Sequence, residues 1–147
     1  MTGHITQRRL GELDVLEVQG SDDGPVVVLL HGYGASWRDL LPLHRVIDAP
    51  PGTTWIFPNA PLEIGIGPHN TGRAWFPIDV DAVNRAMMTG THRDRSSITP
   101  PGLSDARELV LGMLAALNRP LNQLVLGGFS QGAMLTTEVA LTMPAPP

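Results

Sequence analysis

The sequence predicts an α/β fold in which a mostly parallel sheet is covered by helices on both faces. Three observations carry that prediction. The run Val26-Val27-Val28-Leu29-Leu30 is wholly apolar and largely β-branched, as expected of a central strand with no solvent-facing side. Runs of this kind alternate along the chain with segments of helical periodicity, and such alternation closes a parallel sheet through crossover helices. The last apolar run leads straight into Gly128-Phe129-Ser130-Gln131-Gly132. This fits G-x-S-x-G, a sharp strand-to-helix turn that holds a serine hydroxyl at its tip.

Taken in order, the alternating segments 5–10 and 13–18, with Gly11-Glu12 between them, read as an opening hairpin. A polar turn, Ser21-Asp22-Asp23-Gly24-Pro25, precedes the central strand 26–30. Ser36 with Asp39 three residues on has capping-box spacing, and Trp37, Leu40, Leu41 and Leu43 supply the apolar side of a helix that Pro50-Pro51-Gly52 ends. Thr54-Trp55-Ile56-Phe57 reads as a short buried strand closed by Pro58. From Asn59 to Thr99 the chain is rich in Gly, Pro and Asn, patterned only by a short helix near 81–88. A loop of that length inside a compact domain usually has a function. Leu103, Ala106, Val110, Met113, Leu114 and Leu117 share one helical face, which ends at Asn118-Arg119-Pro120. Leu124-Val125-Leu126 is the strand before the turn, and Gln131 to Met143 is helix-compatible up to Pro144. Strands 26–30, 54–57 and 124–126 are expected to be parallel neighbours, with strained backbone angles at Ser130.

At 147 residues the chain makes a single domain, 1–147. A hydrophobic share of 42% with 16% charged residues excludes wholesale disorder. Net charge is −4, and all 10 cations are arginines, scattered except for Arg93-Asp94-Arg95. No basic face for nucleic acid emerges. The absence of cysteine excludes disulfides and thiolate metal sites and fits a reducing compartment. The N-terminus lacks an apolar leader core, and no run approaches the ~18 residues of a membrane span, so a cytoplasmic protein is expected.

Ser130 is the candidate nucleophile. Phosphate-loop readings fail, because no Lys-Ser/Thr pair follows and Phe129 stands where a dinucleotide fingerprint needs its second glycine. Acyl transfer also needs two backbone N–H groups aimed at the developing oxyanion. One comes from the residue after the nucleophile, Gln131, and the other from the loop after an earlier strand. In His31-Gly32-Tyr33-Gly34 that donor is Tyr33. Both loops follow the carboxyl ends of strands, where ligands bind in such sheets. His31 reads as structural, its ring hydrogen-bonded beneath the loop, and His4, His44, His69 and His92 as surface or loop residues. Asp79 reads as a loop-ordering carboxylate. Trp75 and Phe76, with the Met87-Met88 pair, either line an acyl pocket as substrate-binding residues or pin the long loop to the core.

The blocks Leu30-His31-Gly32-Tyr33-Gly34, Phe57-Pro58-Asn59-Ala60-Pro61, Trp75-Phe76 and Gly127-Gly128-Phe129-Ser130-Gln131-Gly132-Ala133-Met134 follow one another across nearly the whole chain. In that order they resemble the carboxylesterase/phospholipase family of α/β-hydrolases, relatives of acyl-protein thioesterases. The last block is the most specific. The resemblance implies the α/β-hydrolase fold and hydrolysis of a small-molecule ester or thioester without metal or cofactor, with Ser130 as nucleophile and the N–H groups of Tyr33 and Gln131 as oxyanion hole. In that fold the triad acid and histidine follow the serine, yet neither Asp nor His occurs between Gln131 and Pro147. The chain is therefore expected to be a truncated domain, the N-terminal two-thirds of such an enzyme. Its strand 122–126 then becomes an uncharged edge, to be covered in a homodimer or by a complementary fragment. Two alternatives stand beside the active esterase. One is a catalytically inactive fragment or acyl-binding module; the other recruits a base from another chain or from His31, His69 or His92.

Overall fold

The computed structural model describes residues 3–90 and 99–144. His92 and the Arg93-Asp94-Arg95 group lie outside the described residues. The opening hairpin forms as expected from β1 (Ile5–Leu10) and β2 (Leu13–Val18), paired from Ile5↔Val18 to Leu10↔Leu13. Gly11, at φ 59, makes the tight turn, a left-handed conformation that costs glycine little. Two parallel strands, β3 (Val26–Leu30) and β4 (Thr54–Pro58), follow.

The expected single helix after β3 is two separate turns, α1 (Trp37–Leu40) and α2 (Leu43–Val46). Pro42 separates them: it has no N–H to give to the preceding turn and its ring crowds that turn's carbonyl. The Ser36–Asp39 capping box is present at the head of α1. The stretch after β4, expected to be nearly patternless, contains an antiparallel hairpin of β5 (Leu62–Gly65) and β6 (Thr71–Ala74). Next comes α3 (Val80–Thr89), in the place of the predicted short helix; Ala82 N–H donates to the Asp79 carboxylate, and Gly90 at φ 65 closes the helix. Asp79 thus orders the chain locally. The helix α4 (Leu103–Leu117) turns Leu103, Ala106, Val110, Met113 and Leu114 inward. It leads to β7 (Leu124–Gly128) and α5 (Gln131–Thr142).

The main sheet runs β1-β2-β4-β3-β7. Its last three strands are parallel, with Val26 opposite Thr54 on one side and Leu124 on the other. Both faces are covered, and β3 shows how alternation divides them. Val26, Val28 and Leu30 join Ile56 and the inward residues of α4 and α5 in one cluster. Val27 and Leu29 pack with Trp37, Leu40, Trp55 and Phe57 in another. Among the described residues no helix is long and apolar enough to cross a membrane.

Candidate functional site

β7 ends in two glycines, and α5 begins three residues later, so the chain reverses within Gly128 to Gly132. A Cβ on Gly128 would stand 2.4 Å from the Gly132 carbonyl, and one on Gly132 would stand 2.0 Å from the Leu30 carbonyl oxygen. Glycine is a steric requirement at both places. Between them Ser130 takes φ 55 and ψ −116, outside the regions open to residues with a Cβ. The turn is held by Phe129 N–H to Leu30 O (3.0 Å), Gly132 N–H to Phe129 O (2.9 Å) and Ala133 N–H to Ser130 O (2.9 Å). The serine is exposed at the start of α5.

The loop 31–35 lies beside this turn, since a Cβ on Gly32 would sit 3.4 Å from Ser130 Cβ. Across the loop runs β6. Gly34, at φ 82, donates to Arg73 O (2.9 Å), and Arg73 N–H returns to Ala35 O (2.8 Å). Arg73 also anchors the hairpin through its guanidinium, with Nε 2.8 Å from Ala60 O. Ala35 N–H is taken by Gly32 O (3.2 Å). Among the described residues Tyr33 N–H takes no partner in the fold. Gln131 is the first residue of α5, so its N–H is one of those a helix leaves unpaired. Two adjoining loops therefore each carry an unused backbone donor.

His31 is buried, and its two ring nitrogens have opposite roles. Nδ1 lies 2.8 Å from Gly32 O, an acceptor only, so Nδ1 carries the proton. Nε2 accepts from Ala60 N–H at 3.0 Å. The imidazole is thus held neutral in one tautomer, with its pKa lowered from 6.5 chiefly by burial. Its only free lone pair is engaged, so it cannot act as a base toward Ser130. His4 and His69 are exposed, and His44 bonds Leu41 O. Among the described residues no side chain hydrogen-bonds the Ser130 hydroxyl, and no group of His, Asp and Glu is placed to hold a metal.

Trp75 and Phe76 are 2% and 1% exposed, within the core. This is the pinning arrangement, and an acyl chain could reach their rings only by displacing core neighbours. Met87 and Met88 point outward instead, at 76% and 88% exposure. The Trp75-Phe76 main chain grips the Gln131 side chain, while the Trp75 indole N–H donates to His31 O (2.8 Å). Sequence reasoning missed both the β5–β6 clamp and the buried amide of Gln131. The one available signal for the clamp was Gly72, whose added Cβ would stand 2.2 Å from Gly34 O. A cavity of about 650 Å³ lined by His4, Gln19, His44, Pro51 and Trp55 opens at the other end of the sheet, where β3 and β4 begin. Ligands of parallel sheets bind at the carboxyl ends, so the elbow remains the better candidate.

Residues 13–147 match the sequence model of the Phospholipase/Carboxylesterase family. The chain is 32% identical over 120 residues to acyl-protein thioesterase 1 of Schizosaccharomyces pombe, covering 80% of this chain and 50% of that protein. To acyl-protein thioesterase 1 of Cryptococcus neoformans it is 28% identical over 118 residues, covering 79% and 48%. Among solved structures, esterase PE8 has 32% identity and a TM-score of 0.68 over 99% of this chain and 59% of that one. A carboxylesterase from Mesorhizobium loti, at 19% identity and a TM-score of 0.63, covers 98% and 60% and shares the fold. The chain spans about half the length of the curated relatives it matches.

Proposed function

Because the chain belongs to the Phospholipase/Carboxylesterase family of α/β-hydrolases, we propose that Ser130 is the nucleophile of a carboxylic ester or thioester hydrolase. The N–H groups of Tyr33 and Gln131 serve as its oxyanion hole. One observation carries this reading: a strained, exposed serine stands beside a second loop, and each loop has an unused backbone donor.

In the proposed reaction a base removes the Ser130 proton and the alkoxide attacks the acyl carbon. The carbonyl oxygen, now negative, receives hydrogen bonds from both loops. The C–O or C–S bond breaks as the protonated base returns its proton to the leaving group. Water, deprotonated by the same base, then releases the acid and restores the serine. The proton acceptor comes from outside the described residues, since none of their imidazoles meets Ser130. Trp75 and Phe76 act from beneath the site and do not contact the substrate. The cysteine-free composition supports a cytoplasmic location.

That no imidazole among the described residues meets Ser130 also supports a second reading, an acyl-binding module that does not turn over. Hydrolysis of a short-chain p-nitrophenyl ester, followed beside Ser130→Ala, separates the two. A burst of one p-nitrophenol per chain that disappears in Ser130→Ala is expected of the esterase. Identical traces for both proteins would leave only the binding module.

A further inference from the structure

We infer that Gln131, Trp75 and His31 are positioning residues, forming a buried strut of hydrogen bonds that sets the spacing between the Tyr33 and Gln131 N–H donors. The inference rests on the reading of those two groups as the oxyanion hole, and it gives three side chains that touch no substrate a part in the chemistry.

The strut can be followed atom by atom. Gln131 offers its backbone N–H at the elbow, but its side chain turns inward, 1% exposed. There Oε1 accepts from Trp75 N–H at 2.8 Å and Nε2 donates to Phe76 O at 2.7 Å. From the same segment the Trp75 indole reaches in the other direction and donates to His31 O at 2.8 Å, its ring 5.4 Å from the imidazole. His31 in turn holds Gly32 O through Nδ1–H at 2.8 Å and accepts Ala60 N–H at 3.0 Å. Tyr33 follows Gly32. Apart from the last bond of the sheet, Phe129 N–H to Leu30 O, no direct hydrogen bond among the described residues joins the elbow to the loop 31–35.

Residue type follows from this path. The partner of Trp75 N–H and Phe76 O must accept and donate at one end of a side chain, which glutamine does and glutamate or methionine does not. The partner of His31 O must carry a donor far from its own backbone, which the indole provides. Each bond is buried, so losing one leaves a buried polar group unpaired. The two N–H groups are useful only if both stand about 3 Å from the same oxygen, and a strut between their loops fixes that distance.

Two substitutions test the inference in the full chain. Trp75→Phe removes the indole donor and keeps an aromatic ring; Gln131→Met keeps length and removes both amide bonds. In ¹H–¹⁵N spectra Gln131→Met is expected to shift the Tyr33 amide, and Trp75→Phe the Gln131 amide. The core change Val139→Ala should leave both in place. With ester substrate, both variants are expected to lose roughly 10- to 100-fold in kcat, with KM unchanged within about twofold. Amides that stay put in both folded variants, or that move as much with Val139→Ala, overturn the strut. Should Gln131→Met not fold, the wild type decides: solvent exchange of the Gln131 side-chain amide or Trp75 indole protons as fast as in free peptide overturns it, and protection matching β3 amides supports it. A wild type that hydrolyses no ester counts against the proposed function alone, because the spectra still settle the strut.

Discussion

Ser130 keeps a φ of 55 because the glycines on either side leave no room for a wider turn, and backbone strain of this kind costs on the order of 1–3 kcal/mol. Ser130→Gly should relieve it. After the entropic cost of glycine, about 0.5–1 kcal/mol, a net gain of roughly 1 kcal/mol in urea unfolding is expected, with loss of esterase activity; a loss of stability would show that the angle is unstrained. His31 makes a prediction in pH. Its folded pKa is lowered from 6.5 by burial, so as pH falls the unfolded chain takes up this proton first. Stability from this group is therefore complete above about pH 6.5 and declines below it, until the folded ring also protonates, with a slope of at most ~1.4 kcal/mol per pH unit. Denaturation midpoints measured from pH 7 to 5 should fall less steeply in His31→Gln than in the wild type. Equal slopes would place the proton elsewhere.

Among the elements, β3 and β4 were legible because strands buried on both faces leave unbroken apolar runs, and α1 because Ser36 and Asp39 stand at capping distance in the chain itself. The β5–β6 hairpin was not. Its strands are four residues long and too short to show a pattern, β5 being mostly exposed and ending at Gly65, while β6 has Gly72 as its second residue; what fixes them is the pairing of Gly34 and Ala35 with Arg73, which lies across space. The aromatic pair Trp75-Phe76 reads alike whether it faces a ligand or the core, and only its burial in the folded chain distinguishes the two. The Ser130 turn was legible in its glycines, the inward Gln131 amide was not, since a glutamine beside a serine says nothing of what lies beneath it. The clamp has a measurable consequence. Gly34→Val, which forces a β-branched residue to φ 82, should lower ester hydrolysis by about 10²-fold, the effect of losing one donor of the proposed oxyanion hole. Tyr33→Ala should stay within a few-fold of wild type, because the proposed role uses only its backbone. Comparable losses in both would refute the backbone role.

At the scale of the molecule the two edges of the main sheet differ. β1 carries Arg8 and Arg9, paired with Glu17 (3.3 Å) and Asp14 (3.2 Å), and such charges discourage further strands. β7 has no charge, and Val125 on it is 55% exposed. We propose that a second copy or a complementary segment pairs along β7. For a second copy, light scattering should report a mass above the monomer, shifted back toward it by Val125→Lys, whereas a monodisperse monomer at high concentration would refute pairing between copies. The β3–β7 ladder also imposes an order in time. Leu30 and Gly128 are roughly a hundred residues apart in the chain, and contacts that distant are slow to form because the intervening loop must close first. Until they meet, the serine and its neighbouring loop are strangers in solution. A refolding chain should therefore recover its helices well before it recovers any ability to attack an ester, and the lag between the two would time the docking of a single strand.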